Sequence, residues 1–145
     1  MNQDGWNVHK VESTCEIAES CDLIITATPS KIPLLKKESL KRGTHITALG
    51  SDSPGKQELE HDIFAKADLI VADSKLQCLE RGEIHHAIKH GIIEEDDVQE
   101  LGSLISANEP IYRDEDQITI ADLTGVAVQD IQIAKAVYEE CERIN

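Results

Sequence analysis

The sequence predicts an α/β domain: a partial Rossmann-like sheet, doubly wound and mainly parallel, flanked by helices. Two observations carry that expectation. Short, β-branched, almost uninterrupted apolar runs recur at 22–27, 45–49, 68–73 and 118–121. A parallel sheet covered on both faces reads as such runs, not as apolar–polar alternation. Between them lie stretches of helical patterning, the alternation expected when crossover helices connect parallel strands.

In chain order, 7–11 (Asn7-Val8-His9-Lys10-Val11) reads as a short strand. Ser13 to Glu16 has capping-box spacing and opens a helix that runs to about Cys21. The run 22–27 is a buried strand, and Pro29, Ser30 and Pro33 mark the turn after it. A short polar helix over 36–41 ends at Arg42-Gly43, before the strand at 45–49. A helix over 57–66 leads to the strand at 68–73. Residues 80–89 and 97–105 read as helices separated by Gly91. The strand at 118–121 and a long amphipathic helix over 128–142 complete one domain, without repeat or low-complexity linker.

The stretch with the most chemistry is Gly50-Ser51-Asp52-Ser53-Pro54-Gly55-Lys56, directly after the second apolar strand. The carboxyl ends of strands are where open parallel sheets bind ligands. Glycines at 50 and 55 open torsions closed to other residues or let a ligand approach closely. Asp52 and Lys56 bring a proton acceptor and a cation to one rim. Thr26 and Thr28 end the first apolar strand, and Thr124-Gly125 follow the last one, where Thr124 can cap a helix or face substrate. Glu83, His86 and His90 have the spacing of ligands on one helix face, but no second ligand motif joins them. A solvated polar face is the expected reading.

Thr26-Ala27-Thr28-Pro29-Ser30, the 50–56 loop with Gln57-Glu58-Leu59, and 122–130 (Asp122-Leu123-Thr124-Gly125-Val126-Ala127-Val128-Gln129-Asp130) together resemble the ornithine cyclodeaminase/μ-crystallin family, in order and spacing across nearly the whole chain. The resemblance implies NAD, or NADP, as cofactor and a small amino acid or cyclic imine as substrate. It places Thr26, Leu49, Gly50, Ser51, Asp52, Lys56 and Leu123 on the dinucleotide, Asp52 as the catalytic acid and Thr124 by the substrate. It implies conversion of ornithine to proline and ammonia, by hydride transfer and an imine. Alanine dehydrogenase-like and cyclic ketimine reductase-like members share the pattern. A non-catalytic fragment or interaction module, like the crystallin branch, is the alternative of another class. At Leu123 a serine is expected for a cyclodeaminase, and leucine offers only its backbone there.

Members of that family are roughly twice this length and carry a substrate domain and a Gly-x-Gly-x-x-Gly turn. Residues 1–145 contain neither, so a single partial dinucleotide-binding domain is expected, entering the fold near its third strand. Without the central strand that bears the glycine turn, 23–27 is left with an open edge. Self-association into a homo-oligomer follows, since 7–11 is too polar and short to fill a buried gap.

Composition sets the outer bounds. The formal charge of −14, from 28 acidic against 14 basic residues, argues against a nucleic-acid partner. No apolar run approaches the roughly 20 residues of a membrane span, and no signal pattern opens the chain. Cys15, Cys21, Cys78 and Cys141 lack paired spacing and read as reduced thiols, which makes cytoplasm the expected compartment.

Overall fold

Five strands of three or four residues form one parallel sheet: β1 (Leu23–Thr26), β2 (His45–Ala48), β3 (Leu69–Ala72), β4 (Val98–Glu100) and β5 (Thr119–Asp122), in the order β1-β2-β5-β3-β4. The computed structural model describes residues 5, 7–107 and 112–144. The chain steps from β1 to β2, passes over one position to β3, and returns at its end to place β5 in the gap. That return brings the last strand to the middle of the sheet.

One face of the sheet is a row of branched side chains in register, Ile24, Ile46, Ile120, Ile70 and Val98. Against it pack Ala18 of helix α1 (Thr14–Ser20), Cys78 of α2 (Lys75–Glu80), and Ile84 and Ala87 of α3 (Glu83–Lys89). Ile63 and Phe64 of a 3₁₀ segment, His61–Lys66, complete this layer. With so few aromatics, aliphatic side chains and one phenylalanine fill the core, as expected. The cap of α1 is as read: Ser13 Oγ accepts from the amide of Glu16.

Several local expectations are corrected. Residues 7–11 form no strand and lie mostly exposed. Residues 57–60 are extended rather than helical, because Leu59 bridges to Leu35 and the Glu58 carbonyl accepts from the Leu34 amide. The helix read over 80–89 is α3, starting only after Gly82, whose φ is 95°, and a separate helix not read from the sequence, α2, ends at Glu80. The segment 97–105 opens with the edge strand β4 before turning into α4 (Leu101–Ser106).

The opposite face is covered much less. Leu23 and Ile25 are 58% and 61% exposed there, and β1 has a ladder partner, β2, along one side only among the described strands. Helix α5 (Ala127–Ile144) leaves Val128, Ile131, Ile133, Val137 and Tyr138 exposed. An apolar strand edge with free amides and carbonyls invites another chain. Purified chain is therefore expected to self-associate with rising concentration in light scattering. A monomer across a wide concentration range counts against the open edge.

Candidate functional site

All five strands point their carboxyl ends at one rim, and backbone hydrogen bonds continue one residue past the strands. The Leu49 amide donates to the Thr26 carbonyl at 2.8 Å, and the Leu123 amide to the Ala48 carbonyl at 2.9 Å. The backbones of Thr26, Leu49 and Leu123 therefore lie together, with the Thr26 side chain, in register with Ala48 and Asp122, on the packed face. Leu49 is exposed and Leu123 half-buried. Thr26 is 8% exposed, and its hydroxyl has no hydrogen-bond partner among the described residues. A buried hydroxyl without a partner is costly, so Thr26 is the rim residue that most needs a ligand atom.

The 50–56 loop rises beside it. Gly50 serves close approach: a Cβ there would meet the Thr28 carbonyl oxygen and lie 2.5 Å from the Glu58 carboxyl carbon. Gly55, at φ 81°, serves the torsion instead. Asp52 is exposed at the tip, its carboxylate 2.6 Å from Lys56 Nζ. Ser51 points inward; its hydroxyl donates to the Lys56 carbonyl at 2.7 Å. His86 Nε2 lies 2.9 Å from the same carbonyl, so this nitrogen carries the proton. Gly50→Ala is expected to cost about 3 kcal/mol of stability, through a clash with backbone that cannot rotate away. Urea denaturation measures it, and an unmoved midpoint would mean that the loop yields.

After β5, Thr124 is buried. It accepts from Gln77 Nε2 at 2.7 Å, and its Oγ1 is 3.4 Å from Asp73 Oδ1. Asp73 also accepts the Gly125 amide at 2.8 Å, which shapes the turn, and Gly125 takes φ 85°. Asp73, Gln77 and the buried acids Glu58, Glu83 and Asp122 are structural partners of this rim whose acceptor roles residue patterns do not state. Their partners lie up to 52 positions away in sequence.

The electrostatics divide the acids into two kinds. The Lys56 ammonium, by hydrogen bond, holds the exposed Asp52 carboxyl below its ordinary range, so it is anionic at neutral pH. Burial pushes Glu83 up to about 7 and Asp122 up to about 8, against the amide donors each carboxyl accepts. Burial also depresses His86, against the Lys56 carbonyl that its Nε2 proton meets, and raises the Cys78 thiol to about 12, far from a thiolate. Glu83 and His86 thus correct the solvated-face reading: Glu83 is buried, with both oxygens on backbone amides.

The chain matches the family model of the ornithine cyclodeaminase/mu-crystallin family over residues 1–145. It is 43% identical over 125 residues to an alanine dehydrogenase of Archaeoglobus fulgidus, covering 86% of this chain and 38% of that protein. The iminosuccinate reductase of Paracoccus denitrificans, solved with NAD+, superposes with a TM-score of 0.83 at 39% identity over 92% of this chain and 41% of that one. The Δ1-pyrroline-2-carboxylate reductase of Thermococcus litoralis, solved with NADH and L-proline, superposes at 0.82 with 29% identity over 92% and 42%. The chain spans about two fifths of the length of these relatives.

Proposed function

Because the chain belongs to the ornithine cyclodeaminase/mu-crystallin family, we propose that it forms the nicotinamide-facing part of an NAD-binding domain, in an enzyme that interconverts an amino acid and its imine. The observation that carries this reading is the convergence at one rim of a carboxylate held anionic, Asp52, with Thr26, Leu49 and Leu123. The unpartnered Thr26 hydroxyl fits a polar cofactor atom, and the exposed Leu49 side chain fits the face of a flat ring. Gly50, Ser51 and Lys56 shape the wall between them. NAD, when bound, supplies the acceptor or donor of hydride at the substrate's α-carbon.

Asp52 does the proton work. Its carboxylate takes a proton from the substrate ammonium as the C–N bond becomes C=N, and returns it in the reverse direction. Its charge also stabilises the iminium cation. Lys56 keeps it ionised and aimed. Thr124 sits at the substrate side of the same rim.

Relatives at or above 39% identity include an alanine dehydrogenase, an iminosuccinate reductase and an uncharacterized cyclodeaminase; the first two names support an amino-acid dehydrogenase or imine reductase. The apolar Leu123 agrees, since it brings no side-chain donor or acceptor for a second substrate amine. Cyclisation of ornithine to proline with loss of ammonia is the second reading, favoured by Asp52 in its Gly-Ser-Asp-Ser-Pro-Gly-Lys setting. A panel of alanine, ornithine and cyclic imines, given to a protein that joins this chain to the amino-terminal portion of its relatives, separates the two through NADH absorbance and ammonia release. No turnover of any of them would favour the non-catalytic module.

Alone, the chain is expected to bind NAD(H) weakly or not at all, since residues 1–145 contain no glycine-rich phosphate turn. Calorimetric titration tests this. Micromolar affinity would show that another loop seats the phosphates.

A further inference from the structure

We propose that Glu58 is a positioning residue of this site: its single carboxylate fixes the separation between the loop that continues from Thr26 and the loop that carries Asp52. What that separation is for rests on the function proposed above; the bridge itself does not.

Glu58 is 0% exposed. Its Oε1 accepts the Thr28 amide at 2.6 Å and its Oε2 accepts the Gly50 amide at 2.9 Å. The two amides belong to the turns after adjacent strands, β1 and β2. Among the described residues no lysine, arginine or histidine forms an ion pair with Glu58. Burying an anion without a cation is unfavourable unless hydrogen bonds satisfy its oxygens. Packing alone does not call for it, since a leucine would fill similar volume. A leucine would, however, leave two buried amide hydrogens without an acceptor. A glutamine has one acceptor oxygen and would turn an NH₂ toward the other amide. A carboxylate is the side chain with an acceptor for each loop.

Gly50 gives an independent sign that the spacing is tight. A Cβ at this position would run into the Thr28 carbonyl oxygen and the Glu58 carboxyl together, so the two loops stand as close as glycine permits. Glu58 is itself held from behind. Its amide and that of Leu59 donate to Glu83 Oε1 and Oε2 at 2.7 and 3.0 Å. Next to Glu83, the Ile84 amide donates to Asp122 Oδ2 at 2.8 Å, tying α3 to the end of β5. Three buried carboxyl groups in series thus connect the ends of β1, β2 and β5, where Thr26 closes the first strand and Asp52 and Thr124 lie on the loops after the other two. Glu58 touches the amides of both rim loops and is the last link.

Nuclear magnetic resonance on the labelled 145-residue chain tests the bridge. The wild type is expected to show scalar couplings across hydrogen bonds from both the Thr28 and the Gly50 amide nitrogens to the Glu58 carboxyl carbon. Glu58→Gln should raise hydrogen exchange at one or both of these amides by about tenfold or more, while the Ile46 and Ile120 amides keep their protection. It should also weaken the contact between Thr28 and Gly50 protons. Absence of either coupling in the wild type overturns the proposal, whether or not the variant folds. A uniform rise in exchange through the core overturns it too, because Glu58 would then be a general support and not a spacer. Titration with nicotinamide mononucleotide, read at Thr26 and Leu49, is the separate check on the function. Its failure leaves the bridge readouts as they are.

Discussion

Asp52→Asn is expected to lower turnover by about 10²–10⁴-fold in a protein that joins this chain to the amino-terminal portion of its relatives. NAD affinity should change by less than about threefold. Asparagine keeps the size of the side chain and an oxygen for Lys56 Nζ, now 2.6 Å from the Asp52 carboxylate, so the loop keeps its shape. What goes is the basic lone pair and the charge beside the iminium. The loss should therefore fall on kcat, with little on binding. Initial rates followed by NADH absorbance, with calorimetry for NAD, give both numbers. Undiminished turnover in the variant would remove Asp52 from proton transfer. A parallel loss of NAD affinity would make it a cofactor contact instead.

Stability of the chain is expected to fall as pH rises from about 5 to 8. The cause is Glu83 and Asp122, whose folded values of about 7 and about 8 lie above the ordinary carboxyl range because burial disfavours their charged forms. Within that window the folded state binds more protons than the unfolded state, so the slope of unfolding free energy against pH is negative. It levels off above the folded values and below about pH 4, where both states hold the same protons. Each group contributes at most about 1.4 kcal/mol per pH unit. Self-repulsion from the −14 charge acts in the same direction. Melts in about 1 M salt, with a Debye length of about 3 Å, screen that repulsion; the depressed His45 and His86 oppose the fall below about pH 6.5, so the loss is steepest from there to pH 8. Glu83→Gln should flatten the profile between pH 5 and 7, because the amide has no proton to lose there. A flat wild-type profile would mean that the amide donors outweigh desolvation and both acids are ionised throughout.

The fold and the rim can be read from residue order to a large degree, for a local reason. An apolar run such as 22–27 or 68–73 offers no polar face to solvent, so it names a strand of a parallel sheet even where, as at Leu23 and Ile25, one face stays exposed in this chain. Four of the five strands announce themselves in this way. The loop chemistry of Gly50 to Lys56 is local as well, and the i, i+4 pair of Asp52 and Lys56 forms as its spacing suggests. β4 stayed hidden because it is an edge strand of three residues with one buried side chain, Val98. Residues 57–60 carry helical patterning yet lie extended, since Leu35 and Leu34 offer them backbone partners from a distant turn. Strand order is likewise invisible in a run of residues: nothing near 119–122 states that β5 will lie between β2 and β3.

Glu58, Glu83 and Asp122 mark where folding alone assigns the role. By composition they are three of 28 acids in an acidic chain, and neither the helical spacing of Glu83 nor the motifs around Glu58 and Asp122 state which amides they will accept. Their part as acceptors for Thr28, Gly50, Leu59 and Ile84 exists because the sheet returns β5 to its centre and packs α3 beneath the rim. Periodicity records which side of an element is buried. It holds no record of which remote amide a buried oxygen will meet, since that partner is set by crossing elements and by the cost of leaving either group alone in the core.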